Sequence, residues 1–134
     1  MKTSIAVSAR SILILRVMLS AIFIVAGAGH IFNTEKTTQR LLAARFNQPA
    51  LLLGDPKILV ISSGVVLLGT GLLFMLGYKT KYTAGVLILL LLGISLTVQV
   101  GQLNTIGPLF KNLAILGGLL FFVFNKSLHV SKTS

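Results

Sequence analysis

The side chains that could do chemistry in this sequence begin where an apolar segment turns polar, in the stretch AGAGHIFNTE from Ala26 to Glu35. His30 is one of two histidines, and Glu35 is one of two acidic residues. An imidazole in this place could shuttle a proton, ligate a metal or hydrogen-bond a quinone carbonyl. The alternative is a histidine at a membrane interface that bonds water or a neighbouring helix.

Other polar side chains are expected at the same depth as His30. Gln99 and Gln102 are three residues apart and therefore share one helix face, and Lys111 and Asn112 fall in the first turns of the next apolar segment. In an antiparallel bundle all of these lie at one end, so the sequence predicts an outer polar cluster that binds a ligand. Its members are His30, Glu35, Gln99, Gln102, Lys111 and Asn112. The alternative is that they form ordinary hydrogen bonds between helices, worth roughly 0.6–2 kcal/mol each.

Arg16 interrupts the first apolar segment. An arginine near the end of a membrane helix can extend its head to the lipid head groups. It can also bind a lipid phosphate or contact the end of a neighbouring helix. We therefore predict a contact with lipid or with another helix on the inner side for Arg16.

The rest of the sequence offers little for catalysis. The absence of cysteine excludes disulfides, thiolate metal sites and CxxC redox chemistry. His129 is predicted near the opposite end of the bundle from His30, and two acids are too few to complete a metal site. We predict no catalytic residue and no metal site, and favour a protein that is not itself an enzyme. The cofactor stays open, with a quinone as the candidate.

Composition determines the predicted fold. The chain is 54% hydrophobic and 10% charged, whereas soluble domains are about 25% charged. Four segments reach the length of about 20 residues that spans a bilayer, and within lipid each must be a helix. The sequence predicts an all-α membrane protein with one domain over residues 1–134, an antiparallel bundle of four transmembrane helices. The segments are about 11–32, 56–77, 82–103 and 108–125.

The connection between the first two spans predicts a surface helix over about 35–46. Leu41, Leu42 and Phe46 give it an apolar side, and Lys36, Arg40 and Arg45 give it a basic side. A solvated loop helix is the alternative.

The net charge of +10 is distributed at the ends of the apolar segments. This placement predicts contact with anionic lipid head groups and no binding of nucleic acid. With the N-terminus inside, seven basic residues lie on the cytoplasmic side and five outside. The sequence therefore predicts a multi-pass membrane protein with both termini cytoplasmic.

The first apolar segment also resembles a secretory signal, since basic residues precede it and Ala26-Gly27-Ala28 matches a cleavage pattern. Apolar character continues past that site to Phe32. We therefore expect a retained helix, in which these small residues form a packing surface.

Three segments together resemble the DoxX family of small four-helix membrane proteins. They are ILRVMLSAIFIVAGAGHIFN, TTQRLLAARF and GPLFKNLAILGGLLFF. The resemblance implies a four-helix bundle in a bacterial cytoplasmic membrane, associated with redox systems. Relatives occur as subunits of thiosulfate:quinone oxidoreductase or with enzymes of sulfur metabolism and oxidative stress. Arg16, His30, Lys111 and Asn112 stand where the family pattern is polar. The lack of cysteine rules out direct thiol exchange by this chain.

Three functional hypotheses follow. The first is an accessory or anchoring subunit of a membrane redox complex with a quinone site at its outer mouth. The second is a carrier component for small solutes, which the apolar middles of the later helices disfavour. The third is a structural or assembly protein without a ligand, which contacts other membrane subunits or a second copy of itself.

Overall fold

A computed structural model describes residues 5–44, 48–99 and 106–125 of the chain, with side chains to residue 97 in the middle range. It contains six α-helices and one π-helical turn in these ranges. The helices are α1 (Ala9–Phe32), α2 (Thr34–Ala43), α3 (Gln48–Leu51), α4 (Pro56–Leu76), α5 (Thr80–Ile94) and α6 (Ile106–Phe124), and the π-helical turn Ser95–Gln99 continues α5.

Four of these elements are long and apolar enough to cross a membrane: α1, α4, α5 with its π-helical turn as far as Thr97, and α6. The described ranges contain no β-strand. This confirms the predicted all-α bundle of four membrane helices with a short helix between the first two. The protein is therefore a multi-pass membrane protein that contacts lipid.

Local sequence signals account for the helix ends. The Asp55 side chain accepts a hydrogen bond from the backbone amide of Lys57 at 2.8 Å, and Pro56 occupies the first helical position of α4. Gly77 ends α4 in the left-handed conformation at φ 82°, which favours glycine. At the start of α1, the Ser8 hydroxyl accepts from the amide of Ser11 at 3.2 Å.

The third span differs from the predicted continuous helix to about residue 103. Its α-helical part ends at Ile94 and a π-helical turn follows to Gln99, while residues 100–105 lie outside the described ranges. The Thr97 hydroxyl donates to the carbonyl oxygen of Gly93 at 2.7 Å. A hydroxyl donor at that carbonyl competes with the backbone amide and is one cause of local helix distortion.

α1 packs most closely against α4, because glycines remove side chains from both surfaces. A Cβ built on Gly27 would lie 2.7 Å from the backbone nitrogen of Leu68 and 2.8 Å from the carbonyl oxygen of Gly64. A Cβ on Gly64 would lie 2.7 Å from the Cβ of His30. The helices are therefore in backbone contact here, as small residues allow in membrane bundles.

The bundle has two distinct ends. The His30 end holds the end of α1, the short helices α2 and α3, and the starts of α4 and α6. The opposite end, here the Gly77 end, holds the start of α1, the turn from α4 to α5, and the end of α6. Near the Gly77 end the rings of Phe74 and Phe122 meet edge to face, with centroids 5.0 Å apart.

α2 lies across the His30 end and packs against α4 through its apolar side, where Leu41 is buried. Only Asn33 separates α2 from the end of α1. The Thr34 hydroxyl donates to the carbonyl oxygens of His30 and Ile31, both at 2.8 Å. These bonds satisfy carbonyls that the end of α1 leaves without amide partners, and they hold α2 beside His30.

Candidate functional site

His30 is half-buried and is hydrogen-bonded across the α1–α4 interface. Its Nδ1 lies 2.9 Å from the hydroxyl oxygen of Ser63, and that hydroxyl donates to the carbonyl oxygen of Val60 at 2.8 Å. The single Ser63 proton is thus directed to a backbone acceptor, so Nδ1 of His30 donates to Ser63. In the neutral imidazole, Nε2 then carries the lone pair and accepts hydrogen bonds.

A groove of about 640 Å³ lies beside this pair, formed by α1 to α5 and the π-helical turn. We call it the His30 groove. Its polar and glycine lining includes Gly29 and His30 of α1, Lys36 and Arg40 of α2, Ser63 of α4, and Gly93 and Thr97 of the third span. The volume is within the range of about 300–1,000 Å³ that is typical of small-molecule sites.

The groove is apolar along α4 and α5 and cationic beneath α2. Leu59, Leu89, Leu90 and Ile94 form the apolar wall. The described lining contains the two cations Lys36 and Arg40 and no acidic residue. Leu89 is 72% exposed, so the wall continues onto the surface that faces lipid. A lipid-soluble molecule with a polar head suits this arrangement.

Glycine makes the space in the groove. A Cβ built on Gly93 meets no atom within 4 Å, and the same holds for Gly29 on the opposite wall. Both residues line the groove. A larger side chain at either position would occupy the space that a ligand needs.

The structure places Asn112 away from the groove, between α5 and α6. Its amide nitrogen donates to the hydroxyl oxygen of Ser95 at 2.8 Å, and both side chains are buried. Neighbouring Lys111 is exposed and does not line the groove. This pair joins the last two spans in the way that polar side chains join membrane helices.

Of the other members of the predicted cluster, Glu35 is the one whose side chain the structure describes, and it lies outside the groove. Glu35 is exposed and lines a shallow depression on α2, together with Asn33 and Gln39. The side chain of Gln99 and the whole of Gln102 lie outside the described part of the chain. Within the described ranges no three His, Cys, Asp or Glu side chains come close enough to hold a metal.

The sequence did not indicate Ser63, Lys36 and Arg40 as neighbours of His30. Lys36 and Arg40 are four residues apart, so their shared face could be deduced, but not the direction in which α2 crosses the bundle. Ser63 follows Ser62, and only the register of α1 against α4 decides which of the two hydroxyls meets His30. Ser62 is exposed and bonds the backbone of its own helix instead.

At the Gly77 end, Arg16 lies against the last turn of α4. A Cβ built on Gly77 would lie 2.9 Å from Nη1 and 3.0 Å from Cζ of Arg16. The guanidinium therefore occupies the space that glycine leaves open, at the negative end of the α4 dipole. It contacts the end of a neighbouring helix, one of the two contacts expected from the sequence.

Comparison with known proteins identifies the family. A model of the DoxX family matches residues 11–100, which run from α1 to just beyond the π-helical turn. No curated protein and no solved structure matches the chain. The matched residues include Arg16, His30, Ser63 and the polar residues that line the groove. Because the match covers about two thirds of the sequence, the protein belongs to the DoxX family.

Proposed function

We propose that this DoxX-family chain is an accessory or anchoring subunit of a membrane redox system, and that its His30 groove receives the head group of a quinone. The observation that carries the proposal is the groove itself. It combines an apolar wall open toward lipid with a histidine and two cations at one end. A quinone has the matching division into an isoprenoid tail and a head with two oxygen atoms.

His30 has a defined role in this proposal. With Nδ1 donating to Ser63, the neutral ring offers Nε2 as an acceptor for a hydroxyl of the reduced carrier, a quinol. The protonated ring would instead donate to a carbonyl of the oxidised quinone. Lys36 and Arg40 supply donors for a head-group oxygen beneath α2. The tail lies along Leu89 and Leu90, toward the bilayer.

In this proposal the chain binds the quinone, and a partner subunit carries out the electron transfer. Cysteine is absent from the sequence, and no cluster of metal ligands forms within the described ranges. The partner therefore supplies the redox centre. We place the protein in a bacterial cytoplasmic membrane because it belongs to the DoxX family. We place both termini on the cytoplasmic side because of the distribution of basic residues between the two sides.

Replacing His30 by alanine is expected to weaken the binding of a quinol analogue by about 3–10-fold, because one hydrogen bond to the ligand is lost. The measurement is a titration of the purified full chain with short-tailed quinones and the corresponding quinols. The quinol should lose more affinity than the quinone at a pH where the imidazole is neutral. Ser63→Ala should show a smaller loss in the same direction, since it removes only the partner that orients the ring.

Thr83→Ala is the control, because it removes a buried hydroxyl at the Gly77 end and should leave the affinity unchanged. If His30→Ala binds as tightly as the wild type, His30 has no part in the site. If the folded wild-type chain binds neither the quinone nor the quinol, the quinone proposal is wrong and the structural or assembly role takes its place.

A further inference from the structure

Arg16 is the arginine that lies deeper in α1 than Arg10, and its guanidinium contacts Gly77. The residue lies about two turns inside α1, where its guanidinium packs against the backbone that ends α4. Its Nε is buried and has no hydrogen-bond partner. No hydrogen bond or ion pair to its side chain forms in the described part of the protein. A guanidinium carries five N–H donors and normally finds acceptors for them.

The chain cannot supply a side-chain carboxylate for Arg16. Its two acidic residues are Glu35 and Asp55. Glu35 is in the first turn of α2, and Asp55 caps the start of α4, so both lie at the His30 end. The 21 residues of α4 separate Asp55 from Gly77, a distance of about 33 Å at 1.5 Å per residue. The counter-charge for Arg16 must therefore come from outside the side chains of this protein.

The depth of Arg16 matches the head groups of the bilayer. The turn beside it contains Tyr78 and the first turn of α5 contains Tyr82; the two residues are 56% and 71% exposed. Amphipathic tyrosine rings at the end of a span occupy the membrane interface. The ammonium group of Lys79 lies 5.5 Å from the centre of the Tyr78 ring. Arg16 is thus at the level of phospholipid phosphates, and the charged side chains nearest to Gly77 along the chain, Lys79 and Lys81, are also cationic.

We infer that Arg16 binds the phosphate of a membrane phospholipid at the Gly77 end, with its guanidinium held in place by Gly77. A phosphate offers the paired oxygens that a planar guanidinium binds through two parallel hydrogen bonds. Basic pockets between membrane helices are known sites for anionic lipids. This lipid site is separate from the His30 groove and does not depend on the proposed quinone function.

The test is native mass spectrometry of the delipidated full chain with phosphatidylglycerol added. Glucosyl diacylglycerol with the same acyl chains is the comparison lipid, since it lacks a phosphate. The wild type should bind phosphatidylglycerol at least about tenfold more tightly than the phosphate-free lipid. Arg16→Gln should remove most of this preference. Arg16→Lys should keep part of it, because the charge remains while the two parallel hydrogen bonds are lost.

Arg10→Gln is the matched control, with the same loss of charge on an exposed residue of the same helix. It should retain the preference. Equal binding of the two lipids by the wild type would overturn the inference, whether or not the variants fold. The inference would also be overturned if folded Arg16→Gln kept the preference for phosphatidylglycerol. It would be overturned as well if Arg10→Gln lost as much of that preference as Arg16→Gln. Inorganic phosphate should not displace the lipid at millimolar concentration, and complete displacement would contradict a lipid site.

Discussion

Gly27→Ala should destabilise the bundle by at least about 2 kcal/mol, although it adds only one methyl group. The new Cβ would meet the backbone of α4, at 2.7 Å from the nitrogen of Leu68 and 2.8 Å from the carbonyl oxygen of Gly64. Backbone atoms cannot move aside as a flexible side chain can, so α1 and α4 must separate. The measurement is thermal unfolding in detergent followed by circular dichroism, with an expected fall in Tm of about 5 °C or more.

Gly117→Ala provides the control for this prediction. A Cβ on Gly117 meets no atom within 4 Å, and alanine favours a helix over glycine by about 1 kcal/mol. Its Tm should stay the same or rise. Equal effects of the two substitutions would show that the close approach of α1 and α4 does not determine stability.

Gly93→Phe should abolish the binding of quinone and quinol analogues while the fold is retained. The built Cβ of Gly93 points into open space in the His30 groove, so the ring would fill volume rather than strain the bundle. We expect a loss of affinity of at least about tenfold, greater than the loss from His30→Ala. The same titration measures both variants, and circular dichroism checks that helix content is unchanged.

The matched substitution is Gly69→Phe on α4. Gly69 is exposed, its Cβ also meets nothing within 4 Å, and it does not line the groove. Affinity should equal that of the wild type. If Gly93→Phe folds and still binds the analogue with normal affinity, the ligand does not occupy the groove.

Much of the architecture follows from the sequence, because its causes are local. Asp55 and Pro56 predict the start of α4, and Gly77 predicts its end, from capping and from backbone conformation alone. The length of the apolar segments predicts four spans, since the hydrocarbon core of a typical bilayer is about 30 Å thick. The basic residues of 35–46 predict a surface helix, and α2 forms there from Thr34 to Ala43.

The side-chain pairs of the candidate site depend on rotation and axial register, which the sequence does not determine. One residue along a helix turns a side chain by about 100°. Gln99 and Asn112 could thus be assigned to the same end as His30, but not to the same face. The structure instead pairs Asn112 with Ser95 and His30 with Ser63. The groove could not be predicted, because it arises where α2 crosses the ends of three other helices.

The central claim is that a quinone head group occupies the His30 groove. Photolabelling tests it most directly, with a short-tailed azidoquinone, the full chain in a lipid bilayer and peptide mapping of the labelled sites. The account predicts label on the groove-lining parts of α1 and α5, in residues 26–33 and 89–97, and its loss when unlabelled quinone is added in excess. Label distributed over the lipid-facing surface, unchanged by that competitor, would contradict it.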